Sequence, residues 1–312
     1  MKRIFVTLAL ALTASTALAA DLPSYKAPPP PPLPPPPLWT GFYVGLNAGG
    51  TWAGSNTITT SAFPFFIGPA GPGITVAGNT ARAFGAALGA TSNMGVNNSG
   101  FIGGGQIGYN WQFMNSFVAG VEADIQGIAG SSGSTSAFTI GAVDTTVTAV
   151  AQYPTFSRVT KNLDYLGTVR GRLGWLFTPT LLVYGTGGLA YGGVSTSTNI
   201  FQQALSVTGA PFAVLPPFGG ASSFSDTRVG WTAGGGLEWM FWPNWSAKVE
   251  YLYYDLGTVA TSFALAQATT VAGVPVSFAN LVQSRTRFNG NIVRAGINYH
   301  FNWGAAPIVA KY

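Results

Sequence analysis

From residue 40 onward, apolar and polar residues alternate one by one along successive runs separated by turn-forming residues. In 116–128, Phe117, Ala119, Val121, Ala123 and Ile125 share one face, and Glu122, Asp124 and Gln126 share the other. In 162–177, Leu163, Tyr165, Val169, Leu173 and Trp175 oppose Asp164, Thr168, Arg170 and Arg172. The same split sets Val229, Trp231, Leu237 and Trp239 against Arg228, Thr232 and Glu238, and Trp245, Val249, Tyr251 and Tyr253 against Lys248 and Glu250. Near the C-terminus, Val293, Ala295, Ile297, Tyr299 and Phe301 oppose Arg294, Asn298 and His300. A period of two is the signature of a strand with two unlike faces. It predicts eight strands, over 40–51, 100–113, 116–128, 162–177, 181–193, 228–241, 245–256 and 291–303.

Their connections alternate in length. Met114-Asn115, Thr178-Pro179-Thr180 and Trp242-Pro243-Asn244 suit tight turns, whereas 52–99, 129–161, 194–227 and 257–290 are long and rich in Ser, Thr, Gly and Ala. Strict alternation of short and long connections suits strands that run up and down between two unlike rims. Ten charges fall on the polar faces and none on the apolar ones: Glu122, Asp124, Asp164, Glu238 and Glu250 against Arg170, Arg172, Arg228, Lys248 and Arg294. Arg170 and Arg172 stand on one face, with Glu122 or Asp124 on the adjoining strand as their nearest anions. Trp39, Trp111, Trp175, Trp239, Trp245 and Trp303 sit at strand ends, as in the aromatic girdles of a membrane barrel. Outside the run at 28–37, the prolines from Pro64 to Pro307 are expected in loops, turns and the tail, since a closed barrel has no edge strand to hold them. The predicted fold is all-β: an eight-stranded, antiparallel, up-and-down transmembrane β-barrel.

Composition agrees. Of 312 residues 47% are apolar and only 7% charged, against about 25% charged in soluble domains. Mean hydropathy is +0.30, yet no later window is apolar enough for a membrane helix, which leaves the closed barrel as the spanning solution. The chain has no Cys and one His, which excludes disulfide scaffolds, thiol catalysis and zinc fingers and leaves little for metal chemistry. Residues 1–19 read as a signal peptide, with Lys2 and Arg3, an apolar run from Ile4 to Leu12, and Ala17-Leu18-Ala19 before cleavage. Its removal lowers the formal charge from +5 to +3, and the remaining bases are scattered, so no nucleic-acid partner is expected. Residues 20–38 form a proline-rich periplasmic spacer containing nine prolines between Pro28 and Pro37, 39–303 the barrel, and 304–312 a periplasmic tail.

Gly103-Gly104-Gly105-Gln106-Ile107-Gly108 matches a dinucleotide fingerprint but lies inside an alternating segment with no helix behind it. Its glycines are expected to permit bends or to make room for aromatic rings, and no cofactor is expected. Glu122 and Asp124 read as neutralising partners of the lumenal bases rather than as an acid–base pair. His300 lies at the periplasmic end, away from the outer rim, so no catalytic residues are assigned.

Arg294-Ala-Gly296-Ile-Asn-Tyr299-His-Phe301 resembles the C-terminal signal by which barrel proteins are recognised and inserted. Gly296, Tyr299 and Phe301 carry that resemblance; here eleven residues follow Phe301. With Trp39-Thr-Gly-Phe-Tyr-Val-Gly-Leu-Asn-Ala-Gly-Gly50, the chain resembles the OmpA-like, opacity-type small barrels and the alphaproteobacterial "porin family" surface antigens. The resemblance implies a Gram-negative outer-membrane location and envelope-stabilising, surface-exposed roles. Its implied partners are outer-membrane lipid, lipopolysaccharide and, during insertion, the barrel-assembly machinery. A narrow solute or ion channel and a loop-mediated adhesin are the alternatives. Eight strands leave an interior that side chains can fill, so a salt-bridged plug is expected.

Overall fold

A computed structural model describes residues 38–69, 76–143, 151–206, 216–271 and 274–301. The expected signal peptide, all but the last residue of the proline-rich spacer, Trp303 and the tail lie outside these residues. Among those described are twelve strands and one helix: β1 Gly41–Ala53, β2 Thr57–Ile67, α1 Val76–Ala90, β3 Ser92–Gly95, β4 Gly100–Phe113, β5 Phe117–Ala129, β6 Gly133–Val143, β7 Ala151–Thr178, β8 Leu181–Gln202, β9 Leu205–Ser206, β10 Phe218–Trp242, β11 Trp245–Val271 and β12 Val274–Phe301.

Eight of these strands are the predicted ones, and they pair antiparallel in the order β1-β4-β5-β7-β8-β10-β11-β12. β12 then pairs with β1 from Phe42↔Phe301 to Ala53↔Gly290, which closes the ring. The turns at 114–116, 179–180 and 243–244 lie at one rim. Positive φ at Met114 (47°), Asn115 (60°) and Asn244 (71°) provides two of these reversals, a conformation Asn tolerates better than other non-glycine residues.

The long connections differ from the sequence expectation. β7, β8, β10, β11 and β12 run far past the ends of β1, β4 and β5, carrying sheet through most of 151–161, 194–202, 218–227 and 257–290. The Ser, Thr and Ala of these stretches still alternate in burial, but with too little hydropathy contrast to read as strands. Where the three short strands stop, β6 pairs with β7 and β2 with β12, extending the sheet into a tower at the rim opposite the short turns. α1 packs between β2 and β6, presenting Ala83, Ala86, Ala87 and Ala90 as a buried small-residue face. Gln202 Nε2 donates to the Ala86 carbonyl at 2.7 Å, Asn280 Nδ2 to Ala83 at 2.9 Å and Thr139 Oγ1 to Gly89 at 2.6 Å, which hold the helix in the gap.

Three prolines expected in loops lie in strands: Pro64 in β2, Pro154 in β7 and Pro275 in β12. Pro64 sits past the short β2–β3 ladder, opposite the register shift between Ala279 and Asn280, so one side of its backbone has no strand partner. Pro275 pairs with Thr270 beside the β11–β12 reversal. Edges and irregularities are where a strand tolerates the missing N–H.

Two bulges reverse the in-out parity at the base of the tower. In β7, Leu163 pairs with Val194 and Tyr165 with Gly193, leaving Asp164 as the extra residue. Inward positions are even-numbered from Leu166 to Leu176 and odd-numbered from Tyr153 to Leu163. In β11 the shift between Asp255 and Thr258, with Gly257 at φ +82°, does the same.

Candidate functional site

Even-numbered positions of β5, and of β7 from Leu166 to Leu176, point inward, and the antiparallel β5–β7 ladder puts Glu122 opposite Arg170 in register. Likewise Glu250 faces Arg294 across β11 and β12. Four acids and four bases meet inside the ring: Glu122, Asp124, Glu238 and Glu250 with Arg170, Arg172, Lys248 and Arg294, each at most 4% exposed. Arg170 donates from Nη1 to Glu250 at 2.9 Å, from Nη2 to Asp124 at 2.8 Å and to Glu122, and from Nε to Thr168 at 2.8 Å. Arg294 reaches Glu250 through Nε and Asp124 through Nη2, both at 2.8 Å.

Glu238 and Lys248 are also register neighbours, yet each takes its ion pair elsewhere. Lys248 Nζ donates to both oxygens of Glu122 at 3.0 Å, from β11 to β5. Arg172 Nη2 reaches Glu238 at 2.6 Å, from β7 to β10, and its guanidinium stacks 4.0 Å from the Tyr184 ring. Tyr43 of β1 donates to Glu122 at 2.7 Å and accepts from Arg172 at 3.0 Å. The lumen is therefore bridged across non-adjacent strands. A Cβ on Gly108 would stand 2.3 Å from the Tyr43 ring, so one glycine of the Gly103–Gly108 run makes room for that tyrosine.

Apolar layers bound the charges on both sides. Toward the short turns lie Trp39, Val118, Leu176, Leu182, Tyr184 and Met240. Toward the tower, Ile102, Leu163, Leu166, Val194, Leu252, Phe288 and Ile292 form part of a cluster drawn from β4, β7, β8, β11 and β12. Removing a charge from water costs several kcal/mol unless it is paired and hydrogen-bonded, and here every carboxylate has at least one cation.

Two of the ten predicted charges do not join. Asp164 is exposed, because the β7 bulge turns it out and turns Leu163 in; it accepts from Asn162 Nδ2 at 2.5 Å. Arg228 is half-buried at the base of the tower, donates weakly to the Thr258 carbonyl at 3.4 Å, and makes no ion pair among the described residues. Trp39 is a third correction. It is fully buried inside the ring, donating from Nε1 to the Pro179 carbonyl at 3.0 Å and meeting His300 edge-on, so it packs in the lumen instead of joining a girdle. Trp111, Trp175, Trp239 and Trp245 are 41–58% exposed on the outer face, as expected of girdle residues.

His300 contacts Ser246 Oγ at 2.9 Å and Glu238 at 3.3 Å, but both partners meet the same Nε2. A Ser–His–acid relay needs them on opposite nitrogens. Of the residues resembling an insertion signal, Tyr299 packs edge-on against Trp245 at 5.2 Å and against Phe301 at 5.0 Å. A Cβ on Gly296 would stand 2.8 Å from the Leu46 carbonyl, so close β1–β12 pairing favours glycine there.

The sequence reading missed Lys161, the last residue of an expected loop. The β7 parity change turns it inward, 2% exposed, to donate to the carbonyls of Ser55 at 2.9 Å and Arg287 at 2.8 Å. It lies beyond the rim residue Tyr165, and burial holds its ammonium down at about 8.

The model of an outer membrane protein beta-barrel domain matches residues 5–301. The 31 kDa outer-membrane immunogenic protein of Brucella melitensis is 33% identical over 303 residues, covering 96% of this chain and all of that one. The 22 kDa outer membrane protein of Rhizobium leguminosarum is 29% identical over 56% of this chain and 66% of its own length. Among solved structures, the outer membrane protein OprG from Pseudomonas aeruginosa aligns over 84% of this chain and 97% of that chain, at 8% identity and a TM-score of 0.34.

Proposed function

Because this chain belongs to the outer membrane protein β-barrel family, we propose that its eight-strand ring spans the outer membrane as an up-and-down barrel with a sealed lumen. Its role is structural and surface-exposed rather than conductive or catalytic. The spanning zone runs from Trp111, Trp175, Trp239 and Trp245 near the short turns to Trp52, Tyr165, Trp231 and Tyr253. From Trp175 to Tyr165, tilted strands climb roughly 25 Å, the height of a barrel's apolar band. The short turns then face the periplasm and the tower faces outward. Surface exposure is supported by the Brucella relative's description as immunogenic.

The observation that carries this reading is the neutral layer of four acids and four bases held between two apolar layers. An ion crossing it would have to break paired, buried charges. We assign Gly296, Tyr299 and Phe301 to recognition by the assembly machinery, and the outer wall to lipid and lipopolysaccharide. Arg170→Ala removes a cation shared by three carboxylates. It should lower stability by about 3–5 kcal/mol, as for other broken buried pairs. Wild-type protein in planar bilayers should show no steady conductance. An unchanged melting temperature for Arg170→Ala, together with altered ion selectivity, would replace the plug by a hydrated pore.

A further inference from the structure

Above the spanning zone the two sides of the tower differ. On β10, β11 and β12 the outward residues of the tower are small or polar apart from half-buried Leu281 beside β2, among them Ser223, Ser225, Thr258, Ser262 and Arg285. On the opposite side the ladders place Phe138 beside Phe156 and Phe156 beside Phe201, a row of three phenylalanines crossing β6, β7 and β8. Each is exposed, at 65%, 48% and 52%. Ile140, two residues along β6, is 55% exposed, and α1, packed against β6, turns out Phe84 and Leu88, one helical turn apart, at 53% and 62%. β7 climbs nine residues from Tyr165 to Phe156, which lifts the row roughly 20 Å above the outer girdle. Acyl chains do not reach that height.

Half to two-thirds of six large side chains amounts to on the order of 600 Å² of apolar surface, given ~200 Å² for each. That is the upper end of what monomers leave exposed and approaches the ~800 Å² that each partner gives to a standard interface. Phe63, Phe65 and Phe66 of β2 extend it beyond α1.

We propose that this face docks a second copy of the chain, side by side in the membrane about a two-fold axis along the membrane normal. Two barrels in one bilayer have parallel axes and carry the row at the same height. The membrane therefore removes much of the orientational freedom that a soluble partner would lose on binding. A two-fold also sets the same patch against itself, and an uncharged aromatic row can do so without repulsion.

The absence of cysteine makes the test direct. Phe156→Cys, oxidised on intact cells, should yield a non-reduced band of two chains, and Ser262→Cys on the opposite face should not. Phe201→Cys is the second probe if Phe156→Cys loses the mobility difference between boiled and unboiled samples that marks a folded barrel. Light scattering in mild detergent should give two chains for wild type and one for the Phe138→Ser/Phe156→Ser double variant. Equal cross-linking on both faces, cross-linking on neither, or an adduct with a foreign mass would overturn the proposal. So would a wild-type mass of one chain.

Discussion

Gly108 and Tyr43 show how one residue sets the lumen. The Tyr43 ring lies where a Cβ on Gly108 would stand, and its hydroxyl joins Glu122 to Arg172. Gly108→Val should push the ring off both partners and lower stability by about 1–3 kcal/mol, the cost of overpacking. Tyr43→Phe keeps the ring and should cost less, and urea unfolding of both variants in detergent makes the comparison. Lys161 makes a pH prediction. Its ammonium titrates near 8 in the folded state, below the ~10.4 of a free lysine. Between those values the unfolded chain binds more protons, so Lys161 adds stability as pH rises through that window, by up to about 3 kcal/mol. Below pH 8 its buried charge is a cost. Lys161→Met should remove this slope between pH 8 and 10, and a wild-type slope that survives the change would assign it to other groups.

At the scale of elements, what the sequence made legible followed hydropathy contrast. Strands such as β5, with Val121 against Glu122, were readable because lipid-facing and lumen-facing residues differ sharply. The tower parts of β8 and β10 were not, since Ser-Thr-Ser-Thr at 195–198 looks alike on both faces, although the backbones pair without a break from Gln202↔Phe218 to Val194↔Asp226. The helix was hidden for a related reason: its buried face is alanine and glycine, too weakly apolar to mark a period. Parity was the subtler loss. A single bulge at Asp164 turned one predicted lumenal acid outward and one unpredicted lysine inward, and no local residue type announces it. Eight of the ten predicted lumenal charges meet because they lie on the unbroken side of the bulges. Orientation is testable with the same elements. An epitope placed within 207–215, between β9 and β10, should be labelled on intact cells, and one beside the exposed Met114 in the β4–β5 turn should not. Labelling of Met114 alone would invert the barrel.

At the scale of the molecule, the ring and the tower draw on different contacts. The charge layer and the apolar layers that bound it come from β1, β4, β5, β7, β8, β10, β11, β12 and Trp39, with nothing from β2, α1, β3 or β6. The tower has its own clusters, Ala83, Ala86, Tyr153 and Phe278 in one and Ile58, Met94 and Val159 in another. β2, α1 and β3 are moreover an insertion between β1 and β4, which already pair directly, Thr51 with Gly100. Replacing residues 53–98 with an Asn-Gly hairpin turn should therefore leave a barrel that still inserts, with the mobility difference between boiled and unboiled samples intact. The tower should fare differently. Losing α1 strips the cover from Tyr153 and Phe278 and leaves Gln202 and Asn280 without the carbonyls they bond. Protease added to intact cells should then cut the outer parts of β7, β8, β11 and β12 while sparing a core that ends near Tyr165, Tyr191 and Tyr253. If the shortened chain fails to insert, the tower is part of the folding unit, and the lumenal charge layer is not enough to hold the ring closed.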